Sequence, residues 1–300
     1  MDQVRPATGK VYDLGDDVHR IIAPNPSPMT YWGTNTYLIG TRGLALIDPG
    51  PDSDAHLSAI LNGLRPGQHI SHIFVTHSHV DHSPLSRRLA QQTGARIYAF
   101  GPSGSGRSEI MQKLAKAGIE DAGEGVDPDF ETDENLQDKQ VLKGDGWTLT
   151  ALWTPGHLGN HLCFQMGDVI FCGDLVMGWS SSLVSPPDGD LTDFMASCKR
   201  LRKLGARVFH AGHGAPIDTP DERLDWLIAH REGREASILA QLAKAPVDAT
   251  TLARALYTDT PGKQMRAASR NVLAHLIDLF GRAVVKPVGE LHETAVFELV

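Results

Sequence analysis

The stretch "FVTHSHVDHSPL", Phe74–Leu85, sets three imidazoles and a carboxylate within six residues, after an apolar run and before a Ser-Pro pair. His77, His79, Asp81 and His82 are each good ligands for a borderline metal such as zinc. In an extended segment His77 and His79, two residues apart, lie on the same side. Asp81 and His82 fall where the chain turns into the next helix. One short loop therefore presents two pairs of ligands in two directions, enough to begin two metal sites.

Three more clusters lie at strand ends followed by glycine or turn chemistry. "WTPGHLGNH" puts His157 after a Thr-Pro-Gly turn, "VIFCGDLVMG" ends a strand at Asp174, and "VFHAGHGAP" holds His213 between glycines. If those strands belong to one sandwich, all four loops converge on one edge. His19, His56, His69, His72, His275 and His292 read as surface or core residues. His210 ends an apolar strand and reads as packed or supporting. His161 and His230 read as pocket residues, candidates to donate a proton to a leaving group.

Working outward, "HRIIAP", "NTYLIG", "GLALIDPG", "HIFVTH", "ARIYAF", "WTLTALWTPG", "HLCFQMGD" and "VIFCGD" have the length and β-branched content of buried strands. "SDAHLSAILNGL" predicts a helix with Leu57, Ile60, Leu61 and Leu64 on one face. "SPLSRRLAQQTG" predicts another, with Ser83 as N-cap, Pro84 at the first helical position and Gly94 as terminator. "DLTDFMASCKRLRKLGA" is a third. Residues 101–146 are Gly- and acid-rich and read as a solvated surface excursion. Within them "GPSGSGRS" lacks the Gly-Lys-Ser/Thr ending of a phosphate loop. From Pro220 the pattern is helical, one long amphipathic helix and two or three shorter ones, closing on a β-like tail "ETAVFELV". The expected organisation is an α/β catalytic domain over 1–220 and a small helical domain over 221–300.

The chain has 300 residues and a net charge of −8, which argues against a general polyanion binder. Three cysteines, Cys163, Cys172 and Cys198, do not make a disulfide framework. The N-terminal stretch has no apolar segment, and no run approaches the ~20 residues of a membrane span. A reducing, cytoplasmic setting and no membrane partner are expected.

Together "THSHVDHS", "TPGHLGNH", "FCGD" and "AGHG" resemble the metallo-β-lactamase-fold hydrolase superfamily in order and spacing. "NPSPMTYWGTNTYLIG", "HREGREASIL" and the helical C-terminus resemble its β-lactamase-like protein 2 branch, over nearly the whole chain. The resemblance implies an αββα sandwich with a dinuclear site at its edge and a C-terminal winged-helix-like domain. It implies that His77, His79 and His157 bind one metal, that Asp81, His82 and His213 bind the other, and that Asp174 bridges them. The chain departs from the family in having Ser83-Pro84 where Gly-Gly is frequent. Cys172 would share the face of Asp174 on a strand, yet the Gly-Asp register favours Asp174, which argues against antibiotic hydrolysis.

Two divalent ions, expected to be zinc with iron or manganese as alternatives, would acidify a shared water, polarise a carbonyl or phosphoryl oxygen and stabilise the leaving group. The expectation is a hydrolase using a metal-bridging hydroxide, oriented by Asp81, on a small ester, thioester or lactone. The alternative is a nuclease with RNA as partner; iron-dependent redox chemistry and β-lactam hydrolysis rank below both. From Pro246 to Val300 the six cations (Arg254, Lys263, Arg266, Arg270, Arg282, Lys286) equal the six acids (Asp248, Asp259, Asp278, Glu290, Glu293, Glu298), so the domain is neutral. Arg266 and Arg270 read as a solvated helix face. The domain then serves as a lid or as the contact of a homodimer.

Overall fold

The computed structural model describes residues 5–119 and 125–300. Residues 1–4 of the N-terminal reading, and 120–124 of the acid-rich excursion, lie outside the described residues.

Seven strands form the first sheet in chain order: β1 (Val11–Asp13), β2 (Val18–Ile22), β3 (Asn35–Ile39), β4 (Gly43–Ile47), β5 (His69–Phe74), β6 (Arg96–Ala99) and β7 (Glu134–Asn135). The second contains β8 (Val141–Gly144), β9 (Trp147–Trp153), β10 (Leu162–Met166), β11 (Val169–Gly173) and β12 (Val208–Ala211), ordered β12-β11-β10-β9-β8. All eight segments expected to be strands are strands. β3 and β4 are buried along their whole length. Such continuous burial marks strands covered on both faces.

Between the sheets lies one core layer, including Tyr37, Phe74, Leu149 and Phe164. Outside the first sheet, α1 (Asp54–Asn62) and α2 (Leu85–Thr93) cover a second layer, with Leu57, Ile60, Leu85 and Leu89 facing the strands. Outside the second sheet, α4 (Leu191–Arg202) and α5 (Pro220–Leu242) close a third, around Phe194, Leu201, Phe209 and Leu224. The order is helix, sheet, sheet, helix, an αββα sandwich. Each large apolar side chain so buried stabilises by about 1.5–3 kcal/mol relative to exposure.

Two local expectations change. Ser83 does not cap α2: Pro84 holds that position, and Ser83 Oγ donates instead to Asp127 Oδ2 at 2.8 Å. The excursion is only partly solvated. It contains α3 (Glu109–Lys116), whose Met111 and Leu114 are buried, with Ile119, against α6 (Ala249–Leu256) and α7 (Met265–Gly281). The expected β-like tail contains β15 (Val296–Leu299), which forms a small antiparallel sheet with β13 (Val247–Asp248) and β14 (Val285–Pro287) in the order β13-β15-β14. No helix among the described residues is long and apolar enough to cross a membrane.

Candidate metal centre

β4, β5, β9, β11 and β12 each deliver a polar residue just beyond their ends, at one edge of the sandwich. After β5 come Thr76, His77, His79, Asp81 and His82; after β9 comes His157; after β11, Asp174; after β12, His213. The His157 turn requires glycine before it. Gly156 has φ +139°, and a Cβ there would stand 2.3 Å from the backbone of Phe194 in α4.

All seven expected ligands come together. His79 Nδ1 stands 3.0 Å from His77 Nε2 and 3.1 Å from His157 Nε2. On the other side His82 Nε2 lies 3.4 Å from His213 Nε2 and 3.4 Å from Asp81 Oδ2, and His213 Nε2 lies 3.2 Å from Asp81 Oδ2. Asp174 sits between the groups. Its Oδ2 is 3.1 Å from His213 Nε2 and 3.9 Å from His157 Nε2, and its Oδ1 is 3.5 Å from His82 Nε2.

The far side of each ring decides what this cluster is. His157 Nδ1 lies 2.7 Å from Leu183 O and His213 Nδ1 3.2 Å from Gly33 O, both carbonyls that can only accept. His82 Nδ1 meets Asp48 Oδ2 at 2.8 Å. Thr76 Oγ1 donates to that same carboxylate at 2.8 Å, so it accepts from His77 Nδ1 at 2.9 Å. Each of the four rings thus has a fixed acceptor for its Nδ1 proton, and in the neutral form its Nε2 lone pair faces the centre. That is the support pattern of metal-binding histidines, whose outer nitrogen donates to a carbonyl or carboxylate. One proton on His79 Nδ1 satisfies only one of its two facing nitrogens, and buried Asp174 Oδ1 has no hydrogen-bond partner. A tetrahedral ion with metal–nitrogen bonds of ~2.0–2.1 Å spaces its ligands about 3.3 Å apart, close to the separations here. The residues fit divalent ions, in the groups His77–His79–His157, His77–His82–Asp174 and Asp81–His82–His213.

The two halves differ in charge. Burial, then neighbouring imidazoles, hold His77 well below its ordinary pKa and His79 down at about 3; burial also lowers His157. In the other half burial opposes charge too, but carboxylates outweigh it. Asp81, Asp174 and Asp48 hold His82 well above its usual range, and Asp174 and Asp81 raise His213 to about 10. Burial would raise Asp81 and Asp174, but His82 and His213 keep both well below the usual carboxylate range.

Asp48 was not visible as a site residue. It follows β4 with φ +53° and accepts from Thr76 N at 2.7 Å as well as from His82. The available signal was an acid before Pro-Gly at the end of a fully apolar strand. Cys172 does not share the face of Asp174. Gly173 between them has φ +48° at a break in the β11–β12 register, so strand alternation fails there. Cys172 lies in the apolar core, where burial raises its thiol.

His161 is brought near the cluster but not to its mouth. It is fully buried, its ring centroid 5.2 Å from that of His77 and its Nδ1 3.1 Å from Thr154 Oγ1. Burial lowers its pKa well below the ordinary value and so favours the neutral ring. His230 stacks on Trp226 in α5, at a separate surface cleft. His210 packs against Tyr37 and Phe171, as expected.

The C-terminal helices reach the centre through the loop 182–185. Buried Arg231 in α5 donates to Ser182 O and, at 3.1 Å, to Asn271 Oδ1 in α7. Asn271 Oδ1 also accepts from Val184 N at 3.1 Å. Between those contacts lies Leu183, whose carbonyl orients His157. Arg270 is buried, not solvated: its Nε donates to Ser185 Oγ at 3.0 Å and its Nη1 pairs with Glu293. Arg107 of "GPSGSGRS" pairs with Asp188 on the loop's other side.

A sandwich with this edge and this paired His/Asp constellation defines a metal-dependent hydrolase. The sequence pattern of the Metallo-beta-lactamase superfamily matches residues 29–213, and the chain belongs to that superfamily. It is 32% identical over 283 residues to the beta-lactamase-like protein 2 homolog of Caenorhabditis elegans, covering 91% of this chain and 87% of that protein. It is 28% identical over 285 residues to the atrochrysone carboxyl ACP thioesterase of Aspergillus fumigatus, covering 92% and 80%. A crystal structure of a metallo-beta-lactamase family protein from Thermus thermophilus aligns with a TM-score of 0.76 at 27% identity, over 96% of this chain and 100% of that one.

Proposed function

We propose that the chain is a dinuclear hydrolase of small esters, thioesters or lactones. The observation that carries this is the place of Asp174, whose carboxylate stands within 3.9 Å of a nitrogen from each group. One carboxylate can then serve two ions. When bound, a pair of divalent ions, zinc by the nitrogen and oxygen donor set, supplies an acidified water and Lewis acidity toward the scissile carbonyl.

The residues prepare and aim that chemistry. Asp81 Oδ2 is fixed by Thr34 Oγ1 at 2.9 Å, and its side chain, 20% exposed, is the open acid of the set; it orients the attacking water. Asp48, Thr76, Leu183 and Gly33 lock the ring tautomers, so little reorganisation is needed at reaction. His161, packed against His77 at a ring-centroid distance of 5.2 Å, positions that ring. The A. fumigatus relative, named a thioesterase, supports acyl transfer to water as the reaction class. The neutral C-terminal region, with Arg270 turned inward, gives RNA no basic track.

The test is a panel of thioesters and lactones beside single-stranded RNA, with Asp174→Ala as control. Ester or thioester turnover lost in the variant is expected. RNA cleavage lost in the variant, with no ester turnover, would overturn the reading.

A further inference from the structure

We infer that the seam between the sandwich and the C-terminal helices binds the acyl part of the substrate, an unbranched aliphatic chain of about eight carbons. This rests on the ester and thioester reading above. A cavity of about 280 Å³ lies in that seam, walled on its apolar side by Met29, Met177, Trp179, Leu183, Tyr257 and Ala268, with uncharged hydroxyl and amide side chains completing its lining.

Three observations select an acyl chain. The first is position. Leu183 walls this cavity and also the recess that opens on His79 and His157, and its carbonyl orients His157. A chain running from a carbonyl at the ligand cluster past Leu183 enters the seam. The second is charge. Every described residue lining the cavity is uncharged, so a phosphodiester backbone finds no cation there. The larger cleft beyond Trp179, about 680 Å³, is different: Asp218, Glu222 and Arg223 line it, which suits a polar leaving group. The third is size. At about 30 Å³ per water-sized group in a liquid, 280 Å³ holds about nine non-hydrogen atoms. Met29 and Met177 supply unbranched side chains that follow a flexible aliphatic surface. Ala267 and Ala268, side by side on α7, leave the space that larger residues would fill.

The experiment uses the metal-loaded full chain and N-acetylcysteamine thioesters with acyl chains of two to fourteen carbons. We expect kcat/KM to rise to an optimum near eight carbons and fall beyond about twelve. Ala268→Leu should lower the octanoyl-to-acetyl ratio of kcat/KM about tenfold, in line with what one or two methylenes are worth in an apolar pocket, with metal content unchanged. Met29→Ala, at a residue 52% exposed and so safe for folding, should move the optimum to longer chains.

Binding is read separately with S-octyl-N-acetylcysteamine, a thioether that cannot be hydrolysed. Calorimetry should detect it in the wild-type protein and about tenfold weaker binding in Ala268→Leu. Such binding without thioester turnover would support the pocket and overturn the hydrolytic reading. A flat chain-length profile in an active enzyme, or no thioether binding to the wild-type protein, would overturn the pocket.

Discussion

Arg231 in α5 and Asn271 in α7 meet at 3.1 Å, and through that pair the C-terminal helices hold His157, a candidate metal ligand, in place. Both side chains grip the backbone on either side of Leu183, and Leu183 O holds His157 Nδ1. Asn271→Ala removes the acceptor of Val184 N and leaves buried Arg231 short of a partner. We expect affinity of the His77–His79–His157 group for zinc to fall by up to about tenfold, the lower end for lost support of a ligand. Competition against a chromophoric chelator measures it; unchanged affinity would refute the link.

Asp48 supports the other half. Asp48→Ala strips His82 of its Nδ1 acceptor and Thr76 of two. Zinc affinity should fall about 10–100-fold, and the loss of satisfied buried groups should cost about 1–3 kcal/mol of stability. Asp48→Asn keeps the shape and one acceptor oxygen and should lose less on both counts. Metal titration and urea unfolding separate the two effects.

Asp174→Ala removes the carboxylate shared by both groups. Metal content should drop from two ions per chain toward one. Activity should fall by more than about 10²-fold, the scale of one preorganised charge-stabilising group. Elemental analysis beside a kinetic assay checks both numbers. By contrast Cys172→Ala, in the core, should leave the metal count at two.

The chelated protein should lose stability on mild acidification. His56 and His210 are lowered to about 4, and His79 and His275 to about 3, chiefly by burial. Between pH 6.5 and 4.5 the unfolded chain protonates these rings and the folded chain does not, so stability falls with pH. Each group adds up to about 1.4 kcal/mol per pH unit. His82 and His213, with raised values, stay charged in the folded chain while their unfolded rings complete protonation just below pH 6.5, so they oppose the slope only at the top of that window. A urea midpoint that stays level from pH 6.5 to 4.5 would contradict this.

How much was legible depended on chain distance. Four candidate ligands lie in one loop, and His157, Asp174 and His213 each stand beside a glycine just past an apolar run, so local spacing marked as candidates the residues that the fold brings together. Asp48 escaped because its partner His82 is 34 positions away. Arg270 was misread because burial, unlike helical spacing, depends on what packs opposite; here that is Ser185 and Glu293. Cys172 was placed on the wrong face because a single left-handed glycine, Gly173, breaks the alternation that a string of letters implies. Met111 and Leu114 were hidden in an acid-rich stretch whose helix finds its apolar partners more than 120 residues later.

The loop 182–185 has three attachments: His157 on one side, α5 and α7 on another, and the seam cavity on the third. Whatever displaces it acts on all three at once. On the proposed reading, a molecule that moves this loop as it enters the seam would change the hold of the histidine cluster on an ion. Binding free energies being reciprocal, loading the ion must change the hold on that molecule by the same factor. Metal supply and substrate supply would then be two inputs to one equilibrium, each affinity defined only at a stated occupancy of the other site.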